Sequence, residues 1–110
     1  MKLKYLHFFI LVVPVCDKQH QLVYGGGENK SVNISCKVKA YPEPHSFAWS
    51  FNSSTRQMDI AQTHSPSKLK GTSYIVYTPV SQNDFGSLLC WAENDAGPQV
   101  KPCVFQVMRM

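Results

Sequence analysis

The sequence predicts an all-β fold, a sandwich of two antiparallel sheets, and three observations predict it. Short β-prone runs alternate apolar and polar residues, turn residues break them at close intervals, and a cysteine, a tryptophan and a second cysteine are spread over three of those runs. At 110 residues the chain is one domain's worth of protein, because single cores commonly hold ~50 to ~200 residues. A hydrophobic content of 44% with two Trp, five Tyr and six Phe supplies one modest core, and no long window is dominated by Gly, Ser or Pro.

The elements follow in order. Residues 1–15, MKLKYLHFFILVVPV, set Lys2 and Lys4 ahead of an apolar run from Tyr5 to Val13, the layout of a secretory signal. The run is too short to span a bilayer. Val13-Pro14-Val15 is a poor cleavage site, so residues 1–13 are read either as a signal peptide or as part of the first strand, ahead of a domain at 14–108. Both readings place the protein outside the cytosol. Gly25-Gly26-Gly27 has no Lys-Ser/Thr after it and no helix start in view, so it is expected to be a loop and not a phosphate cradle. From Ser31 the strand pattern is plain: Val32, Ile34, Cys36 and Val38 alternate with Asn33, Ser35, Lys37 and Lys39, giving one dry and one wet face. Tyr41-Pro42-Glu43-Pro44 stops that strand. Phe47, Trp49 and Phe51 make the next period-2 set, closed by Asn52-Ser53-Ser54. The polar stretch from Thr55 to Gly71 has room for one or two short edge strands without placing them. Tyr74–Thr78 is a strand with Ile75 and Tyr77 inward, and Asp84 and Gly86 mark a corner before Ser87–Ala92. A hairpin is expected at Asn94-Asp95-Ala96-Gly97, where Asn and Gly accept positive φ, and a last strand from about Gln99 to Val107.

Cys36, then Trp49 thirteen residues on, then Cys90 a further 41 along, is the signature of an immunoglobulin-like sandwich of the I-set or C2-like kind. Its physical content is a disulfide that staples the two sheets through the core with an indole packed against it. In the chain-entropy treatment a loop of this length contributes ~4 kcal/mol, large against the ~5 to ~15 kcal/mol of a whole domain. The tyrosine usual two residues before the second cysteine is Leu88 here, so the corner ahead of that strand is expected to be held by packing. Four cysteines allow three pairings, and their even number in so short a chain suits an oxidising compartment.

At Asp84-Phe85-Gly86-Ser87-Leu88-Leu89-Cys90-Trp91-Ala92-Glu93-Asn94 and Pro102-Cys103-Val104-Phe105 the chain resembles one immunoglobulin domain of the insect Sidestep family of neuronal cell-surface proteins. Pro14-Val15-Cys16, Ala40-Tyr41-Pro42, Trp49-Ser50-Phe51-Asn52 and Tyr77-Thr78-Pro79-Val80 extend the likeness. The resemblance implies a recognition or adhesion module in axon guidance, with a partner that is another immunoglobulin-type cell-surface protein of the Beaten-path class. Family members have several immunoglobulin domains and a membrane span, so this chain is expected to be a single-domain fragment, attached to a membrane only through parts absent from it. The same resemblance, with Cys103 sharing parity with Phe105 and Val107, implies a Cys16–Cys103 bridge that ties the N-terminal strand at the sheet edge.

Other chemistry finds little support. The net charge of +4 comes from 11 basic and 7 acidic residues that are scattered along the chain, and Lys68-Leu69-Lys70 is too short for a nucleic-acid stripe. A zinc site needs two close pairs of the C-x2-C or H-x3-H kind, and among Cys and His only Cys16 and His20 lie near each other, so no metal or other cofactor is expected. No G-x-S-x-G or paired base and nucleophile is present, and Asp84 reads better as a cap of the corner, so the chain is read as no enzyme. Asn29-Lys30-Ser31, Asn33-Ile34-Ser35 and Asn52-Ser53-Ser54 are sequons. In Leu88–Ala92 both parities are apolar, which places Leu89 and Trp91 on the outer face of one sheet, joined by Val104 and Ala48. That patch is the expected partner-binding site, with Asn29 and Asn33 shielding the opposite face; the alternative is that Thr55 to Gly71 or the alkyl stems of basic side chains cover Trp91 as internal packing. A secreted stand-alone decoy, or a cytosolic filament-type structural domain, are the alternatives to the cell-surface reading.

Overall fold

The computed structural model describes residues 11–19, 21–60 and 70–110. Their elements are β1 (Val12–Cys16), β2 (Val23–Gly26), β3 (Val32–Tyr41), β4 (Ser46–Asn52), β5 (Gln57–Ile60), β6 (Thr72–Tyr77), a single 3-10 turn at Gln82–Asp84, β7 (Gly86–Asn94), β8 (Gly97–Pro98) and β9 (Cys103–Arg109). One sheet runs β1-β3-β6 and the other β2-β9-β7-β4-β5, with β8 against β7. Of the apolar segment at 1–13, residues 1–10 lie outside the described residues. Val12 and Val13 open β1, and at the other end β9 runs one residue past 108.

The core is where the alternating faces meet. Ile34, Cys36 and Val38 from one sheet face Trp49, Phe51, Leu88, Cys90, Ala92, Cys103, Phe105 and Val107 from the other, all buried. Trp49 packs on Phe105 with ring centroids 5.8 Å apart, and its indole N–H donates to the buried Ser73 Oγ at 2.9 Å. That bond satisfies the one polar group the indole brings inside. Cys36–Cys90 crosses the core from β3 to β7, Cα to Cα 6.5 Å.

Cys16–Cys103 is also formed, Cα to Cα 5.6 Å, but it does not lie along one sheet edge. Cys16 pairs with β3 through Val38, whereas Cys103 pairs with Cys90. The second bridge therefore also joins the two sheets, beside the first. The reason is that the N-terminal strand changes sheets: β1 runs antiparallel to β3, and β2 runs parallel to β9. Gly25 and Gly26, expected in a loop, lie in β2, where a Cβ on Gly25 would collide with the Met110 side chain.

One further expectation is met and two change. Within the stretch Thr55 to Gly71 the structure has β5, and residues 61–69 lie outside the described residues. The final strand is split: β8 ends at Pro98, the Gln99 amide still donates to the Ala92 carbonyl at 2.9 Å, Val100 is largely exposed, and regular strand pairing resumes at Cys103, after Pro102, which has no N–H to donate. In the hairpin Gly97 takes φ 140°, but Asn94 does not enter the positive range. Asn94 instead turns its side chain inward, and its Oδ1 accepts the amides of Ala96 and Gly97.

Candidate interaction site

The register of β4, β7 and β9 decides what the outer face of the larger sheet presents. Ala48 lies opposite Trp91 and Ser50 opposite Leu89, while Val104 lies opposite Leu89 from the other side. The four residues singled out from the sequence are thus one contiguous group. Ala48 and Val104 are exposed, but Leu89 and Trp91 are half-buried, so the tryptophan is a partly covered anchor and not the fully open one that parity alone predicts. Two further apolar residues extend the group along the sheet: Met108 on β9, and Val23 on β2 opposite Gln106. Both stand about half exposed, at 51% and 48%. Parity from Phe105 and Val107 points to Met108, but Val23 joins only through the parallel pairing, which no local pattern announces.

The sequons divide between faces. Asn33 is exposed on β3, outward from the smaller sheet, and Asn29 is exposed in the turn before it with φ 64°. Asn52 shares parity with Ala48 and Ser50 and is half-buried at the end of β4. It therefore borders the candidate face, about 7 Å along the strand from Ser50, a position that the outward count on β7 did not include.

The edge of the face is held by a corner with its own chemistry. Leu88 leaves no hydroxyl where one is usual, yet the corner is not closed by packing alone: the Tyr77 hydroxyl, from β6, donates to the Asp84 carbonyl at 2.6 Å. The ring of Tyr77 stacks on Phe51 at 6.1 Å, so β6 can reach the corner that β7 does not. The Asp84 carboxylate accepts the amides of Val80 and Ser81 and pairs with Arg56, whose guanidinium lies over the Phe51 ring. The Val80 amide, with smaller help from Ser81 and Arg56, holds the Asp84 carboxyl below its usual value. Burial, aided by the Asp84 charge, pushes the Tyr77 hydroxyl up to about 12.

Two buried polar side chains at the opposite end escaped the sequence reading. Asn94 donates to the carbonyls of Val12 and Pro42, and so fastens β1 and the β3–β4 connection to the β7–β8 turn. Gln99 accepts the Ala92 amide and donates to the Lys101 carbonyl, with its amide nitrogen also set against both sulfurs of Cys16–Cys103. Among the described residues no three His, Cys, Asp or Glu side chains stand close enough to share a metal ion.

Comparisons with known proteins agree with this architecture. The family model described as immunoglobulin domain matches residues 14–94. Contactin-3 from Rattus norvegicus is 35% identical over 72 residues, which is 66% of this chain and 7% of that protein. The Homo sapiens protein is 31% identical over the same share. The chain therefore corresponds to a small part of the length of these relatives. Among solved structures, titin domain M7 superposes with a TM-score of 0.69 over 92% of this chain and 97% of its own, at 18% identity. At that identity the likeness speaks for the fold alone.

Proposed function

The chain belongs to the immunoglobulin-domain family, and from that premise we propose that it is an extracellular recognition module that binds another immunoglobulin-type cell-surface protein through the face built by Leu89, Trp91, Val104 and Ala48. The observation that carries the proposal is the register that gathers these four side chains on the outer face of one sheet. A half-covered tryptophan among exposed aliphatics is the kind of cluster that dominates binding energy at interfaces, where truncation costs ~2 kcal/mol or more. Its likeness to Contactin-3, 35% identical over 72 residues, supports a role in recognition between proteins. The Sidestep-like motifs at 84–94 and 102–105 support the finer reading, an axon-guidance domain with a Beaten-path-class partner. Two inter-sheet bridges support a secretory route, since such bonds persist in oxidising compartments.

The test replaces Trp91→Ser and Leu89→Thr in the secreted chain and measures melting together with binding to cells that display immunoglobulin-type partners. Unchanged melting with binding lost is the expected result. Variants that melt far lower, or bind as before, would return the patch to internal packing. Because Asn52 borders the face, Asn52→Gln is expected to keep or strengthen binding.

A further inference from the structure

The smaller sheet presents an apolar pair of its own. On β6, Ile75 is buried while Tyr74 and Val76, its neighbours, are 47% and 48% exposed, so both point outward. Val76 lies opposite Asn33 and Tyr74 opposite Ser35. The acceptor and the hydroxyl residue of the sequon Asn33-Ile34-Ser35 thus each stand directly beside one member of the pair. Asn33 is exposed, and directly opposed side chains on a sheet start only ~5 Å apart, with diagonal neighbours ~7 to ~8 Å apart. Asn33 therefore reaches Val76 directly and Tyr74 on the diagonal.

From this juxtaposition we propose that Asn33 carries an N-linked glycan whose first N-acetylglucosamine packs on Tyr74 and Val76, so that the covering layer of the β1-β3-β6 sheet is a sugar. The ring of that sugar presents axial C–H groups on one face, and the electron-rich face of a tyrosine attracts such hydrogens. Attachment is a transfer from a lipid-linked oligosaccharide pyrophosphate: a bond forms between sugar C1 and Asn33 Nδ2, the bond from C1 to the pyrophosphate oxygen breaks, and the amide proton leaves to balance the departing pyrophosphate. This step rests on the secretory route proposed above. Asn52, half-buried at the end of β4, lies opposite the polar residues Gln57 and Ser87.

The experiment expresses the full chain twice, once with its own N-terminus and once behind a supplied signal peptide, in cells that build high-mannose glycans. Site-resolved mass analysis reads occupancy at Asn33, and melting is compared for the intact glycan, for material trimmed by an endoglycosidase to a single sugar, and for Ser35→Ala, which keeps Asn33 but removes the sequon. The single-sugar form is expected to melt with the intact one, and Ser35→Ala about 4 °C or more lower. With Tyr74→Ser and Val76→Thr in place, the difference between glycosylated and unglycosylated forms should vanish. An unmodified Asn33 in secreted, bridged protein overturns the proposal, as does a glycan effect of equal size in both backgrounds. A dimer that these two substitutions dissociate would assign the patch to a second copy instead. If only the chain with the supplied signal is exported and glycosylated, the secretory reading of the native N-terminus fails while the glycan contact stands.

Discussion

Tyr77 and Asp84 form a couple whose ionisation can be read in stability. Tyr77 has its proton held in the folded state to about 12, against about 10 in an unfolded chain. A group whose folded value is raised stabilises fully below its unfolded value, so this contribution is complete below pH ~10 and is lost as pH climbs through about 12. Tyr77→Phe is expected to lower stability at neutral pH by about 1 kcal/mol, the size of a typical hydrogen bond, and to flatten the alkaline decline. Urea unfolding from pH 7 to 11 checks both; an alkaline slope unchanged in the variant would mean that the ring is held by Phe51 alone. Asp84 runs the other way. Its carboxyl is depressed, so its contribution is present above the unfolded value of ~3.9 and disappears as pH falls through the lower folded value. Asp84→Asn should therefore be less stable at neutral pH and lose less stability on acidification than the parent.

At the scale of elements, β1 depends on contacts made far along the chain. Its Val12 carbonyl is taken by the Asn94 side chain, its Cys16 by the bridge to β9, and its pairing with β3 is interrupted between Val12 and Val15. A chain that begins at Leu11 keeps all three. One that begins at Pro14 leaves Asn94 with Pro42 as its remaining carbonyl partner, and is expected to lose about 1 to 2 kcal/mol. Asn94→Ala should cost more than this truncation, because it frees two carbonyls and two turn amides at a buried position. Chemical unfolding of the three proteins orders them, and equal midpoints for the two truncations would mean that Val12 is dispensable to the strand. Residue alternation predicted the strands within β3, β4 and β6, where one parity is apolar and buried, and β7 was predicted from an apolar run between turn residues. Alternation missed β2, whose Val-Tyr-Gly-Gly run carries no such pattern and is a strand only because the edge of β9 is there to pair with.

For the whole molecule the two bridges set the test. Intact mass under denaturing, non-reducing conditions should lie ~4 Da below that of the reduced chain, from two hydrogens lost per S–S bond, with Cys16–Cys103 and Cys36–Cys90 as the linked peptides. Free thiols in natively isolated protein would favour a cytosolic structural domain over the cell-surface reading. Both bridges cross between sheets, and Gln99 packs its amide against the outer one. Melting after reduction should therefore fall for the molecule as a unit, with no separately melting N-terminal part.

What the sequence determined by itself was the sandwich, its core and its first disulfide, because those follow from period-2 alternation and from a cysteine and tryptophan spacing that local chemistry makes legible. It also turned Leu89, Trp91, Val104 and Ala48 each outward from its own strand, since side-chain parity is a property of each strand alone, while the register of β4, β7 and β9 gathers them. Only the tertiary structure decided which strands lie side by side. That choice sent β1 and β2 to different sheets, turned the Cys16–Cys103 bond into a second cross-sheet staple, let Tyr77 supply the hydroxyl that Leu88 lacks, and set Tyr74 and Val76 beside Asn33. The physical reason is that register and strand neighbours depend on contacts between distant segments, whose energy appears in no single window of the chain.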